Sequence, residues 1–268
     1  VDELIAAAPD CGARRMDAMA ESDGSILLTP VRLNWEALYV NTDVLEQNGL
    51  SVPTSYEELV AVCASLAQKG VTPIANALCE WSEITLDCAA MIGAPENQYG
   101  QQPSLDGAKS VLTALTKVGA FGVDPWNLTD EDAENAFLEG VAAMRFDGSD
   151  LSELIGEARQ EHVAVVSLSG MDGQARAKLV GTPSYGLAIT RACWQDSARR
   201  EAALSLVARL LTGDGAAVLA SPAPAVKLGQ SIAQMTTSAS DCAGLLYDRN
   251  PESFDSWTES VIAALMAM

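Results

Sequence analysis

Four aromatic residues, Trp35, Trp81, Trp126 and Tyr185, stand in or beside stretches that read as loops, not in helical core stripes. Short polar side chains accompany them. Asn34 and Glu36 flank Trp35, and Asp147-Gly148-Ser149-Asp150 forms a loop behind an apolar run. Such residue types suit a polar, uncharged guest: flat aromatic faces meet the C–H side of a ring, while a few oriented amides, hydroxyls and carboxylates set specificity. Gly148 lets backbone approach closely, and the loop leads from a strand into a helix, so the helix's first amides point outward from that strand end. Each group also has a plainer account. Asp147-Gly148 reads equally as an ordinary turn with Asp150 as a cap, Trp35 and Trp81 as half-buried packing, and Trp126, behind Asp124-Pro125, as structural. Arg32 and Arg145 are the basic residues near these loops, too few for a phosphorylated or strongly anionic guest.

Other chemistries lack their residues. No Gly-rich phosphate loop ends in Lys-Ser/Thr, no GxGxxG follows a strand, and Ser167-Leu168-Ser169-Gly170 is a loop and not a Gly-x-Ser-x-Gly elbow. One histidine, His162, argues against a His-dependent triad or a multi-His metal centre. Lys and Arg number 16 against 36 Asp and Glu, a net charge of −20 that repels nucleic-acid phosphates and anionic lipid. With 36 carboxylates, chance acid pairs abound, so a glycosidase-like pair carries little weight. Neither a catalytic residue, a metal nor a cofactor is expected. The sequon Asn127-Leu128-Thr129 is explained by Thr129 as a helix cap. The six cysteines fit no metal knuckle; most read as buried thiols, with Cys79 and Cys88 the best disulfide pair. No apolar run is long enough to cross a bilayer and no signal pattern opens the chain, which is expected to be a processed or trimmed product.

The elements that must position these groups alternate. Apolar stretches predict strands at Ser25–Pro30, Ala37–Asn41, Val71–Ala75, Val141–Phe146, Val163–Leu168 and Gly186–Thr190. Helices are expected over Leu4–Ala20, Asp43–Asn48, 82–92, 105–118, Leu151–Glu161, Ser197–Leu211 and Ser253–Met268, with a short one after Thr129. The clearest signal is Thr54 as N-cap with Glu57 three residues on. It opens a helix whose Tyr56, Leu59, Val60, Cys63, Leu66 and Ala67 share a stripe. Asn48-Gly49 and Gly70 read as helix stops. Strands alternating with helices make the fold class α/β over 268 residues, one large or two modest domains.

Five motifs in order then carry a resemblance. Leu38-Tyr39-Val40-Asn41-Thr42-Asp43-Val44-Leu45 with Gly49-Leu50 precedes Pro53-Thr54-Ser55-Tyr56-Glu57-Glu58-Leu59. Gly70-Val71-Thr72-Pro73-Ile74-Ala75 follows, then Phe137-Leu138-Glu139-Gly140-Val141-Ala142-Ala143-Met144 with Asp147-Gly148-Ser149. Tyr185-Gly186-Leu187-Ala188-Ile189 and the helix through Glu201 and Leu210 close the set. Together they resemble the extracellular sugar-binding proteins of ABC importers, of the maltose-binding type (family 1).

The resemblance implies a type II periplasmic-binding-protein-like fold, two α/β lobes joined by crossing strands with ligand held in the cleft between them. Here the motif that normally follows the first crossing stands at residue 38, so most of the opening part of the N-terminal lobe is expected to be absent. The implied division is a hinge or linker segment over 1–29, a nearly complete C-terminal-type lobe over 30–180 and 229–268, and a remnant of the N-terminal-type lobe over 181–228. The implied function is that of a substrate-binding component, capturing a neutral carbohydrate or polyol at Asn34, Trp35, Glu36, Trp81, Asp147, Gly148, Ser149, Asp150 and Tyr185. It would work as a monomer with importer permease subunits, outside the cytoplasm, as a cell-surface lipoprotein or in the periplasm. A sensing or interaction domain reusing the lobe without transport is the alternative, and a glycoside-processing enzyme comes third.

Overall fold

A computed structural model describes residues 29–30, 33–78, 83–93, 105–148, 150–156, 158–166, 179–183, 186–210 and 242–243. The expected elements at Ser25–Leu28, Leu4–Ala20 and Ser253–Met268 lie outside them.

The sheet is organised around one long strand. β1 is Thr29–Pro30 and β2 runs Leu33–Asn41, beginning four residues before the predicted Ala37. Around it stand β3 (Thr72–Ile74), β4 (Ala142–Gly148), β5 (Val163–Val166) and β6 (Leu179–Pro183). β7 is Gly186–Leu187 and β8 is Cys242–Ala243. The six-stranded sheet has the order β3-β4-β2-β6-β8, with β5 also on β2. β4 runs antiparallel to β2, with Leu38 opposite Phe146 and Glu36 opposite Gly148. On its other edge β2 is shared: Leu38–Asn41 pair with β5, and Leu33–Glu36 pair with β6. β3 lies parallel to β4, and β8 parallel to β6. β1 and β7 form a separate antiparallel ribbon.

Strand alternation sends side chains to both faces, and both are covered. Leu38, Val40, Met144 and Phe146 enter the larger core, beneath α1 (Thr42–Gln47), α2 (Tyr56–Gln68), α3 (Glu83–Gly93) and α4 (Leu105–Lys117). Ala37 and Tyr39 face the other way, onto α5 (Asp130–Leu138) and α6 (Leu151–Leu154). Tyr39 meets Phe137 edge to face, ring centres 6.4 Å apart. The fold is therefore a three-layer α/β/α arrangement.

The predicted stripe of α2 holds: Leu59, Cys63 and Leu66 are fully buried. Its start is displaced by one residue. Ser55, not Thr54, is the N-cap and accepts from the Glu58 amide at 3.2 Å, while the Glu58 carboxylate takes the Thr54 amide and hydroxyl at 2.7 and 2.8 Å. Adjacent hydroxyl residues and adjacent glutamates leave that register open in the sequence. Gly49 and Gly70 stop α1 and α2 as expected, with φ of 69° and 74°, and Leu50 and Val71 donate back to Leu45 and Leu66. The predicted Leu151–Glu161 helix is one turn only. Ile155 is extended and a 3-10 turn, Gln160–His162, follows before β5. β5 is half-buried, not a buried core strand: Ala164 and Val166 pack against the larger core and Val163 and Val165 against the smaller one, each only partly covered. α3 and α4 cross backbone to backbone: a Cβ on Gly93 would fall 2.4 Å from the Gly107 carbonyl.

Thr129 caps α5, accepting from the Asp132 amide at 3.1 Å. Thr129→Ala is expected to lower the unfolding free energy by about 0.5–2 kcal/mol. A urea titration reads this directly, and an unchanged midpoint would deny the cap its role. Of the candidate pair Cys79 and Cys88, Cys88 is buried in the larger core along with Cys63, and Cys79 lies outside the described residues. α7 (Arg191–Gln195) and α8 (Ser197–Leu210) follow β7, and Thr190, expected inside a strand, is the cap of α7.

Candidate functional site

The antiparallel register of β2 and β4 decides where the candidate residues meet. Because Glu36 lies opposite Gly148 and Ala37 opposite Asp147, the beginning of β2 shares one end of the sheet with the end of β4. On the other side Trp35 pairs with Gly181 and Asn34 with Thr182, so the end of β6, which leads to Tyr185, comes to the same place. β3 is parallel to β4, and its exit through Ala75–Leu78 also runs toward that end. The backbone of residues 34–36, 147–148 and 150 thus converges at the carboxyl ends of β3, β4 and β6. Ser149, Trp81 and Tyr185 lie outside the described residues, as do the side chains of Asn34 and Trp35.

The sequence places Arg145 near these loops, and the structure turns its side chain inward. It is 2% exposed, on the sheet face toward α5. Its Nη1 donates to the Ala75 carbonyl at 3.1 Å, its Nη2 to Asp130 Oδ1 at 2.9 Å, and its Nε to Asp147 Oδ2. One guanidinium therefore ties the exit of β3, the start of α5 and the end of β4. Asp147 accepts from the Gly148 amide at 2.6 Å as well, which holds the turn. Burial pushes the Asp147 carboxyl above the ordinary aspartate range, although Arg145 opposes the shift. Burial would pull the Arg145 guanidinium down, but Asp147 and then Asp130 outweigh it and raise it. Asp147 here anchors the loop; Asp150 is the exposed carboxylate beyond it, at the first turn of α6 with no side-chain cap bond. α6 is a single turn, so its first amides present little aligned dipole at this strand end.

Two further residues escaped the sequence reading. Tyr39 is fully buried and its hydroxyl donates to the Gly148 carbonyl at 2.8 Å. Asn76, also fully buried, donates from Nδ2 to the Phe146 carbonyl at 2.9 Å and to Thr85 Oγ1 at 3.1 Å, while its Oδ1 accepts from the Phe146 amide at 3.0 Å. No local pattern marks either, because both partners come from distant sequence. Trp126 packs against the larger core, in keeping with its structural reading.

Burial, reinforced by Asp147, Asp150 and Cys88, holds the Tyr39 phenol well above the ordinary 10.0. A phenol that ionises more readily unfolded than folded supports the fold fully below its ordinary value, and that support is lost as pH rises through the folded value. Tyr39→Phe is expected to cost about 0.5–1.5 kcal/mol at pH 8. The gap to the parent should close above pH 10.0. Urea titrations at both ends of that range check it; a pH-independent gap contradicts it.

A hollow of about 250 Å³ lies at the opposite end of the sheet, between Asn41, Gly140, Arg159 and His162. His162 Nδ1 sits 2.8 Å from Asp43 Oδ1, and Thr42 donates to the His162 carbonyl at 3.0 Å, joining the 3-10 turn to α1. None of the candidate residues lines it. Among the described residues no group of three or more His, Cys, Asp or Glu could hold a metal ion, and no helix is long and apolar enough to cross a membrane.

Comparison with known proteins gives this geometry a context. The family model described as bacterial extracellular solute-binding protein matches residues 5–233. A probable sugar-binding periplasmic protein of Rhizobium meliloti (strain 1021) is 26% identical over 145 residues. That match takes in 50% of this chain but 34% of the relative, so the chain spans only about a third of the curated relative's length. A solved structure described under xylan utilization by the thermophilic bacterium Caldanaerobius polysaccharolyticus superposes with a TM-score of 0.70 at 18% identity, covering 99% of this chain and 74% of that one. A chitin oligosaccharide binding protein gives 0.68 at 18%, covering 98% and 72%. At these identities the solved structures speak for the fold, which is that of periplasmic solute-binding proteins.

Proposed function

The chain belongs to the bacterial extracellular solute-binding proteins, and on that premise we propose that it captures a neutral mono- or oligosaccharide, or a polyol, reversibly and without transforming it. The family is one of binding proteins found outside the cytoplasm, extracellular or periplasmic, not of enzymes. The observation that carries the sugar reading is the convergence of the backbone of residues 34–36, 147–148 and 150 at the carboxyl ends of β3, β4 and β6, the strands that Trp81 and Tyr185 follow in the sequence. The curated relative's description as sugar-binding and the chitin oligosaccharide binding protein's fold support it. The guest is held by Asn34, Trp35, Glu36, Trp81, Asp147, Gly148, Ser149, Asp150 and Tyr185, with Asp147 acting chiefly as the anchor of its loop.

The ligand is delivered to permease subunits of an ABC importer, with the protein acting as a monomer anchored as a lipoprotein or free in the periplasm. Residues 1–29 are the hinge or linker segment, residues 30–180 with 229–268 form one lobe and 181–228 belong to the other. Two features support that division. The ribbon of Thr29–Pro30 on Gly186–Leu187 brings both expected crossing points side by side. Beyond it α8 is thinly covered: Val207 is buried, whereas Leu206 is 58% and Trp194 on α7 45% exposed. Calorimetry with xylotriose, chitobiose, maltose, D-galactose and ribitol tests the reading. Saturable binding of at least one sugar or polyol is expected; tight binding of a peptide or of phosphate, with none of these, would overturn it.

A further inference from the structure

The hollow at the far end of the sheet contains a donor that the fold does not use. Asn41 is 7% exposed and caps α1, its Oδ1 accepting from the Val44 amide at 3.2 Å. That bond settles which end of the side-chain amide is oxygen, and it leaves Nδ2 without a partner among the described residues. Capping requires the oxygen alone and aspartate would serve it as well, so the nitrogen has no part in the cap. It faces the hollow beside Gly140: a Cβ on Gly140 would stand 3.3 Å from Asn41 Nδ2 and 3.0 Å from Arg159 Nη2. Two N–H donors from distant parts of the chain therefore meet over the bare Cα of one glycine. The Arg159 guanidinium bonds to no described group either, so it is not engaged by the last carbonyls of α5.

The rest of the lining offers the opposite charge and an apolar wall. Val44, Phe137, Leu138, Ile155 and Val163 form the wall. Asp43 is engaged by His162 Nδ1 at 2.8 Å, whereas the Glu139 carboxylate, on the residue that ends α5, has no partner among the described residues. The carboxyl-terminal end of α5, a nine-residue helix, adds negative potential there. A volume of about 250 Å³ takes roughly eight or nine water-sized groups, and leucine has about nine non-hydrogen atoms. We infer that the hollow is a second binding site, for a zwitterionic amino acid with a short aliphatic side chain. The ligand carboxylate accepts from Arg159 and Asn41, its ammonium faces Glu139 and the end of α5, and its side chain lies on the apolar wall. A zwitterion suits the hollow better than a simple anion, which would meet Asp43, Glu139 and a chain of net charge −20 with no cation of its own. None of these residues is among those assigned to the sugar, so the second site does not depend on that reading.

Calorimetry on the full chain with leucine, with isocaproate (the same acid without its amine) and with isoamylamine (the amine without its acid) tests this. Saturable leucine binding is expected below about 10 mM, with each analogue at least about fivefold weaker. Two variants locate it. Arg159→Gln removes an exposed cation, and Asn41→Asp keeps the capping oxygen while exchanging the donor for an acceptor. Each is expected to weaken leucine at least about fivefold, with the unfolding midpoint of Arg159→Gln at the parental value. Hydrogen exchange with leucine present is expected to slow over residues 138–140 and 159–162. No saturable leucine binding up to that concentration, an analogue that binds as tightly as leucine, or leucine binding untouched by Arg159→Gln would each overturn the inference.

Discussion

Replacing Arg145 by methionine is expected to lower the unfolding free energy by about 3–5 kcal/mol, the range for breaking one side of a buried ion pair. The cause is less the loss of three bonds than what they leave behind. The Asp147 side chain is 12% exposed and would keep its charge without the guanidinium, with the Gly148 amide as its remaining partner among the described residues, while the Ala75 carbonyl would lose its guanidinium donor. Methionine fills comparable volume, so a cavity is a minor part of the loss. The deficit should depend on pH. Without Arg145 to oppose burial, the folded Asp147 carboxyl rises further above its ordinary 3.8. A carboxyl raised in the folded state favours folding while protonated and loses that contribution as pH climbs through the folded value. The deficit is therefore largest near pH 7 and shrinks toward acid. Adding Asp147→Asn to Arg145→Met should recover part of it at neutral pH, because an amide carries no charge to strand. Urea titrations of the three variants at pH 7 and pH 5 give the comparison. A loss below about 1 kcal/mol, the size of an exposed pair, would show that the network is not the anchor its burial implies.

Trp81→Ala is the second large effect, on binding and not on stability. An indole ring laid against a sugar removes a large apolar area from water, and its loss is expected to weaken binding by about 1–3 kcal/mol, or roughly 5- to 150-fold. The unfolding midpoint should remain near the parental value. Calorimetry with the best-binding sugar reads the affinity, and circular dichroism the fold. Unchanged affinity would remove Trp81 from the site without touching the fold.

The parts of the molecule that sequence made legible are those built from local chemistry. The stripe through Leu59, Cys63 and Leu66, the cap at Thr129 and the stops at Gly49 and Gly70 depend on spacing within a turn or two, and the structure keeps them. The early start of β2 was not legible, because Asn34-Trp35-Glu36 carries no apolar alternation. It is strand because β6 and the end of β4 supply partners from more than a hundred residues away. The same distance hid Asn76 and Tyr39, whose partners lie 70 and 109 residues on. Arg145 and Asp147 did hold a signal, since positions two apart on a strand share a face, and opposite charges there read as a pair. Their inward aim was set by Asp130, at the head of a helix whose own start Thr129 had already marked.

The proposed sugar site lies where β3, β4 and β6 end and β2 begins. Hydrogen exchange on the full chain, with and without a saturating concentration of the sugar that binds best, addresses that place directly. Protection is expected over residues 34–36, 77–84 and 148–150, with the hollow around Asn41, Gly140 and His162 at its unliganded rate. Protection concentrated at that opposite hollow, with none at the strand ends, would contradict the account.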